Sequence, residues 1–253
     1  MASSREIKRR IQSVKNTQQI TKAMKVVSGA KLHKTQAAAL ASRPYTRKLT
    51  EVIRHIAENA QDVQNPLMQR RPCQKAAILL VTGNKGLAGG FNGNLIRLAM
   101  NLAKEKYPGC PVDFIPIGSK GRDFLRSHEM PMPAQFVRIS DVPKSGETRP
   151  AAELVTEKFL AGAYDAVDIV YQAFLSPGHQ EPSVRPLLPV AFDFSRDEKE
   201  ARSTHYDYIY EPDAAGILEA LIPMYLNNLV FQAVLETKAG EFVARLLAMS
   251  SAT

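Results

Sequence analysis

The stretch NTQQITKAMKVVSGAKL, Asn16 to Leu32, holds three lysines, no acid and a single helix-weakening residue, Gly29. Its apolar residues Ile20, Met24 and Val27 recur at steps of four and three, the spacing of one face of an α-helix. Working outward, Ile7, Ile11 and Val14 extend the same face toward the N-terminus, where Ser3 or Ser4 offers an N-cap. In the other direction Leu49, Val52 or Ile53, Ile56, Ala60 and Val63 continue it. A helix from about residue 4 to about residue 60 rises roughly 80 Å, longer than a small domain is wide. Pro44 lies inside it, removes one backbone donor and costs about 3 kcal/mol, which predicts a kink or break there with Ser42 capping a second segment.

The period changes at Lys75. Runs AAILLVT (76–82), PVDFIPIG (111–118), AVDIVYQAF (166–174) and YDYIYEP (206–212) read as strands. Stretches 94–106 and 148–163 read as helices between them. This alternation, with nearly continuous apolar strands, predicts a largely parallel sheet covered by helices. The Pro-rich pieces RRPCQ, MPMPAQ and SPGHQEPSVRPLLP read as surface loops. After EPDAAG a helical stripe returns through Leu218, Ile222, Tyr225, Leu229, Ala233, Val243 and Leu247, with Pro223 and Gly240 expected to interrupt it. Two amphipathic helices at opposite ends of one chain satisfy each other most simply by pairing. The expected fold class is therefore α/β: an antiparallel coiled coil of the N- and C-terminal helices, residues 1–62 and 212–253, with a Rossmann-like α/β domain, residues 75–210, inserted between them.

Composition narrows the function. No apolar run approaches the roughly 20 residues of a membrane span, so the expectation is a soluble chain or one peripheral to a membrane. Cys73 and Cys110 lie 37 positions apart, a spacing that fits neither a CxxC redox pair nor a zinc site, and free thiols are expected. Residues 1–54 carry thirteen bases against Glu6 and Glu51 alone, +11 in a chain whose total is +8. A nucleic-acid-binding coiled coil is one reading of that imbalance. Against it, no aromatic side chain precedes Tyr45 to stack a base, and Arg5, Lys15, Lys25 and Lys31 point in separate directions around a helix. Lys8, Lys15 and Lys22, seven apart, do form one basic stripe.

Catalytic signatures are thin. TGNKGLAGGFN, Thr82 to Asn92, follows a strand and precedes a helix, where phosphate-cradling loops occur. It lacks the Gly-Lys-Ser/Thr of a Walker loop and the GxGxxG spacing of a dinucleotide fingerprint, so it reads as a structural turn in which glycine permits positive φ. The five histidines, His33, His55, His128, His179 and His205, are scattered singly, and neither HExxH nor GxSxG occurs. No catalytic residue, cofactor or metal site is expected.

Taken together and in order, IKRRIQSVKNTQQITKAMKVVSGAKL, SRPYTRKL, GNKGLAGGFN, IGSKG and YDYIYEPDAAGILEALIPMYL resemble the gamma subunits of rotary ATP synthases, collinearly over essentially all 253 residues. The resemblance implies a central-stalk rotor, not itself an enzyme, that couples proton or sodium flow through a membrane c-ring to catalysis in a ring of alpha and beta subunits. It implies an inserted domain that binds no dinucleotide and carries the epsilon subunit. By motif, Met24 and Lys25 fall where the shaft meets the acidic tips of beta; Lys25 there would be an exposed attraction of about 1 kcal/mol or less. Lys31, Tyr208 and Glu211 fall where the family faces the c-ring. Family members run on through a further helical segment ending in an ITxE-like signature, so the apical bearing is the part of the plan this sequence does not supply. The chloroplast members' short-spaced dithiol insertion is missing, and a bacterial protein on the cytoplasmic face of the cell membrane is expected.

Overall fold

The computed structural model describes residues 4–59, 65–191 and 213–253. Helix α1 (Ser4–Asn59) is a single uninterrupted helix of 56 residues with Pro44 inside it. Of the kink or break expected at Pro44, the break does not occur, because α1 is held on both sides of the proline. Thr35, Ala39, Leu49, Ile53 and Ile56 are all buried, and the Asn228 amide donates to Thr46 Oγ1 at 2.6 Å just beyond it. Ser42 caps nothing; its hydroxyl turns back toward the Ala39 carbonyl at 3.1 Å and bonds to the Gln232 side chain. Tertiary contacts of this number offset the loss of one backbone bond.

The inserted domain contains β1 (Ala76–Val81), α2 (Phe91–Lys106), β2 (Val112–Ile117), α3 (Ser119–Ser127), α4 (Ser145–Leu160), β3 (Ala166–Ser176) and β4 (His179–Leu188). Strand order is β2-β1-β3-β4, with β2, β1 and β3 parallel and β4 antiparallel to β3. The alternation of side chains along a strand decides the layers. Ala77, Leu79, Val81, Ile115, Val167 and Ile169 face α4 and the two long helices. Ile78, Leu80, Phe114 and Val170 face Leu95, Ile96 and Ala99 of α2. Both faces are covered, which is why β1 reads as an unbroken apolar run.

Strand β4 occupies the segment expected to be a Pro-rich loop. Pro182 and Pro186 stand opposite Gln172 and Asp168, and an edge strand tolerates prolines because one of its sides needs no donor. Helix α3 was also missed by pattern, and α2 and α4 each begin three residues earlier than expected. The YDYIYEP strand lies outside the described residues.

Helix α5 (Ala214–Ser251) runs 38 residues through both Pro223 and Gly240 without interruption. It is not narrow-striped: residues Gln232 to Val243 are buried on all sides, as befits a helix packed between a partner helix and a sheet. At Gly240 an added Cβ would lie 2.6 Å from Gln172 Cγ, so glycine here permits close approach to β3.

Candidate functional site

The chain's two ends form an antiparallel pair whose register is fixed by polar contacts. Lys25 Nζ donates to Ser250 Oγ at 3.1 Å, and the Thr21 and Thr253 hydroxyls are 3.0 Å apart. Gly29 faces Leu246. Toward the N-terminus from Thr21, Ile7, Ile11, Val14 and Ile20 stay 48–67% exposed, so the apolar face read in the sequence is real but, among the described residues, uncovered. Met24 is half-buried and Lys25 exposed on this stretch.

Lower down, the shaft is fastened to the inserted domain by charge. Lys31 bonds to Asp141 at the approach to α4 and lies 5.9 Å from the Phe242 ring centroid. Burial pushes the Asp141 carboxyl up, but the Lys31 hydrogen bond and charge, with Lys85 and Lys238 beyond, hold it below the ordinary carboxylate range. Lys31 therefore sits level with Phe242, roughly 40 Å along α5 from its N-cap Asp213 at 1.5 Å per residue. Its ammonium is already engaged. Tyr208 and Glu211 lie outside the described residues, as does His205.

Farther along, Arg43 donates to the Phe174 carbonyl and to Glu236 at 3.3 Å. Glu236 Oε2 accepts the Phe174 N–H at 3.1 Å, and Thr237 Oγ1 accepts that of Gln172 at 3.1 Å. The last residue of β3 paired with β1 is Val170; beyond it, side chains of α5 stand in for the absent strand neighbour and satisfy donors that would otherwise be orphaned. One turn on, Glu241 joins Lys238 at 3.0 Å and Arg245 at 2.6 Å, three charged side chains each no more than 6% exposed. Arg245 also reaches the Gly86 carbonyl at 3.4 Å.

That last contact explains the glycine loop. Leu87 and Gly89 take positive φ, and a Cβ on Gly83 would meet Glu241 at 2.8 Å. Asn92 Oδ1 accepts the Gly83 N–H, Thr82 Oγ1 accepts that of Gly121, and Lys120 N donates to the Gly83 carbonyl. The Glu241 carboxylate stands beside Gly83, and a fixed negative charge there disfavours a phosphate. Among the described residues no three His, Cys, Asp or Glu side chains gather as a metal set. Pairwise charge fastening was not legible in the sequence; its only signal was the cluster of ionisable residues 236–245 inside an otherwise apolar helix.

The ATP synthase family matches residues 3–253. The ATP synthase gamma chain of Pelotomaculum thermopropionicum is 41% identical over 253 residues, all of this chain and 87% of that one. That of Desulfitobacterium hafniense is 40% identical over 254 residues, with the same coverage. Among solved structures, the central stalk of the Tetrahymena thermophila mitochondrial ATP synthase superposes with a TM-score of 0.68 at 21% identity, covering 92% of this chain and 99% of that one. The rotor of the Euglena gracilis enzyme gives 0.62 at 19% identity, covering 96% and 88%. These two are likenesses of fold.

Proposed function

Because the chain belongs to the ATP synthase gamma chain family, we propose that it is the central-stalk rotor of a bacterial ATP synthase, turning inside the alpha and beta subunits and coupling ion flow to their catalysis. The observation that carries this is the 41% identity to a bacterial gamma chain across every residue. The chain is a subunit of a membrane-associated enzyme and not itself catalytic. We place it on the cytoplasmic side, held peripherally through a c-ring and carrying an epsilon subunit on the inserted domain.

The domain plan follows the same reading: residues 1–62 and 212–253 are the shaft, and residues 75–210 the insert. Family membership sets the nucleic-acid alternative aside. Met24 and Lys25 meet beta, where an exposed lysine makes a contact weak enough to be remade at each angle. Tyr208 and Glu211 dock to polar loops of the c-ring. Lys31, grouped with them by sequence, is better assigned to fixing the shaft to the insert through Asp141, since it sits far from the first turn of α5.

The test is to tag the chain, solubilise membranes gently and identify what co-purifies. Stoichiometric alpha, beta, epsilon and c subunits are expected, and the purified chain alone should hydrolyse no ATP. Recovery free of alpha and beta subunits would overturn the reading.

A further inference from the structure

Cys73 and Cys110 are the chain's two cysteines, and the fold brings them together: their Sγ atoms are 2.8 Å apart. Cys73 precedes β1 by three residues and Cys110 precedes β2 by two. β1 and β2 are parallel neighbours with Ala76 opposite Val112, so both thiols arrive at the same end of the sheet.

Each backbone is held where it is. On the Cys73 side, Asp165 Oδ2 accepts the N–H groups of Gln74 at 2.8 Å and Lys75 at 3.1 Å, and Ala76 N donates to the Pro111 carbonyl at 3.0 Å. Cys110 closes a turn, its N–H bonding to the Tyr107 carbonyl at 3.2 Å after Gly109 at φ +77°. A disulfide needs an S–S separation of about 2.05 Å, so closure asks for less than about 1 Å of movement from groups already ordered. Cys73 is exposed and Cys110 partly so, which leaves the pair open to a small oxidant.

We propose that Cys73 and Cys110 form a reversible redox site, a dithiol that a low-molecular-weight disulfide converts to an internal disulfide joining the entry of β1 to the entry of β2. The exchange balances simply. One thiolate attacks the oxidant RSSR and releases RS⁻; the second attacks the mixed disulfide and releases another. Two electrons pass from the cysteines to the oxidant, and the two thiol protons end on two RSH. Partial desolvation, the hydrogen bond to Cys110 and the Asp165 charge push the Cys73 thiol up to about 12, opposed by Lys106, so exchange by Cys73 quickens as pH rises. Closing the bond ties the connection that leads from the shaft to the body of the sheet.

The full chain is incubated with mixtures of oxidised and reduced glutathione, quenched in acid, denatured and labelled with a maleimide. Expected is a fall from two labels per chain to none, an intact mass two hydrogens below the reduced chain, a peptide bridging 73 and 110, and full reversal by dithiothreitol. The oxidised chain should unfold at a higher temperature than the reduced one, a difference that vanishes in Cys73→Ser. Cys110→Ser should instead stop at one glutathione adduct on Cys73. Two persistent labels in pure oxidised glutathione, two separate glutathione adducts on the native chain, or disulfide-linked dimers would each overturn the proposal.

Discussion

Replacing glycine by alanine inside a helix ordinarily stabilises by about 1 kcal/mol, because alanine loses less backbone entropy. The two long helices offer the same substitution with opposite expected signs. At Gly29 in α1 a new Cβ would find only Leu246 Cδ1 at 3.7 Å, an ordinary contact. Gly29→Ala should therefore gain most of that 1 kcal/mol. At Gly240 in α5 the Cβ would lie 2.6 Å from Gln172 Cγ, 2.8 Å from Gln180 Oε1 and 3.4 Å from Gln172 Cβ. Gln180 Oε1 is the far end of a side chain and can move, but Gln172 Cγ lies one bond from a Cβ fixed to a buried strand. Overpacking of this kind costs about 1–3 kcal/mol, so Gly240→Ala should be destabilising by about 1 kcal/mol after the helix gain is counted. With a urea dependence of roughly 3 kcal/mol per molar for a chain of this size, each variant moves the midpoint by roughly 0.3 M, in opposite directions. The assay is urea unfolding of the full chain followed by far-ultraviolet circular dichroism. In a Gln172→Ala background the clashing atom is gone, and Gly240→Ala should become neutral or stabilising. Midpoints that shift the same way in both single variants, or an unchanged penalty in the Gln172→Ala background, would refute the packing argument.

Glu241→Gln removes the one carboxylate between Lys238 and Arg245 and should cost about 3 kcal/mol or more, as breaking a buried pair does; a loss under 1 kcal/mol in urea unfolding would mean water reaches the triad. Asp141 is held below its ordinary range, so its contribution is fully present above about pH 4 and is lost as pH falls through its folded value. Asp141→Asn should then show a shallower fall of the unfolding midpoint between pH 5 and about pH 2 than the native chain, and parallel curves would remove the Lys31 assignment. If Glu211 docks to the c-ring as proposed, Glu211→Lys should weaken retention of the catalytic head on c-ring membranes while leaving ATP hydrolysis by the detached head unchanged, because charge reversal at a docking contact leaves chemistry elsewhere intact; equal loss of both would indicate misfolding.

The end helices and the α/β insert were readable because their signals are local: apolar residues at three and four in one, unbroken apolar runs in the other. What failed was local reasoning about residues whose cost is met elsewhere. Pro44 and Pro223 predict breaks on their own helices, yet each helix is clamped by the other. Pro182 and Pro186 argue for a loop until β4 is seen to be an edge strand. Residues 232–245 of α5 look like an amphipathic stripe with charges astray; Glu236 is inside because Arg43 of α1 and the Phe174 N–H of β3 meet it, and Glu241 because Lys238 and Arg245 flank it on α5 itself. The glycine loop reads as a turn from its own residues, yet positive φ falls on Leu87 as well as Gly89, and Gly83 is tied to the approach of Glu241, which no local pattern shows. The meeting of Cys73 and Cys110 could not be read across 36 intervening residues, because it depends on two parallel strands starting side by side.

The pairing of α1 with α5 also dictates an order of events in the living cell. Gln18 reaches across to the Thr253 carbonyl, so α1, made first, is completed by a helix that begins more than 150 residues later. At about 5–20 residues per second the stretch between them takes roughly 10–30 s to translate. Strands β1 to β4 can associate in that interval, but the sheet face carrying Leu79, Val81 and Ile169 lacks part of its cover, and α1 has no mate for its inward side. The nascent polypeptide therefore keeps apolar surface open to solvent until residues 214–251 have been made. The delay has a use: a polypeptide released before α5 has been made has nothing to lay along α1, remains a target for proteases, and cannot enter a motor as a defective part.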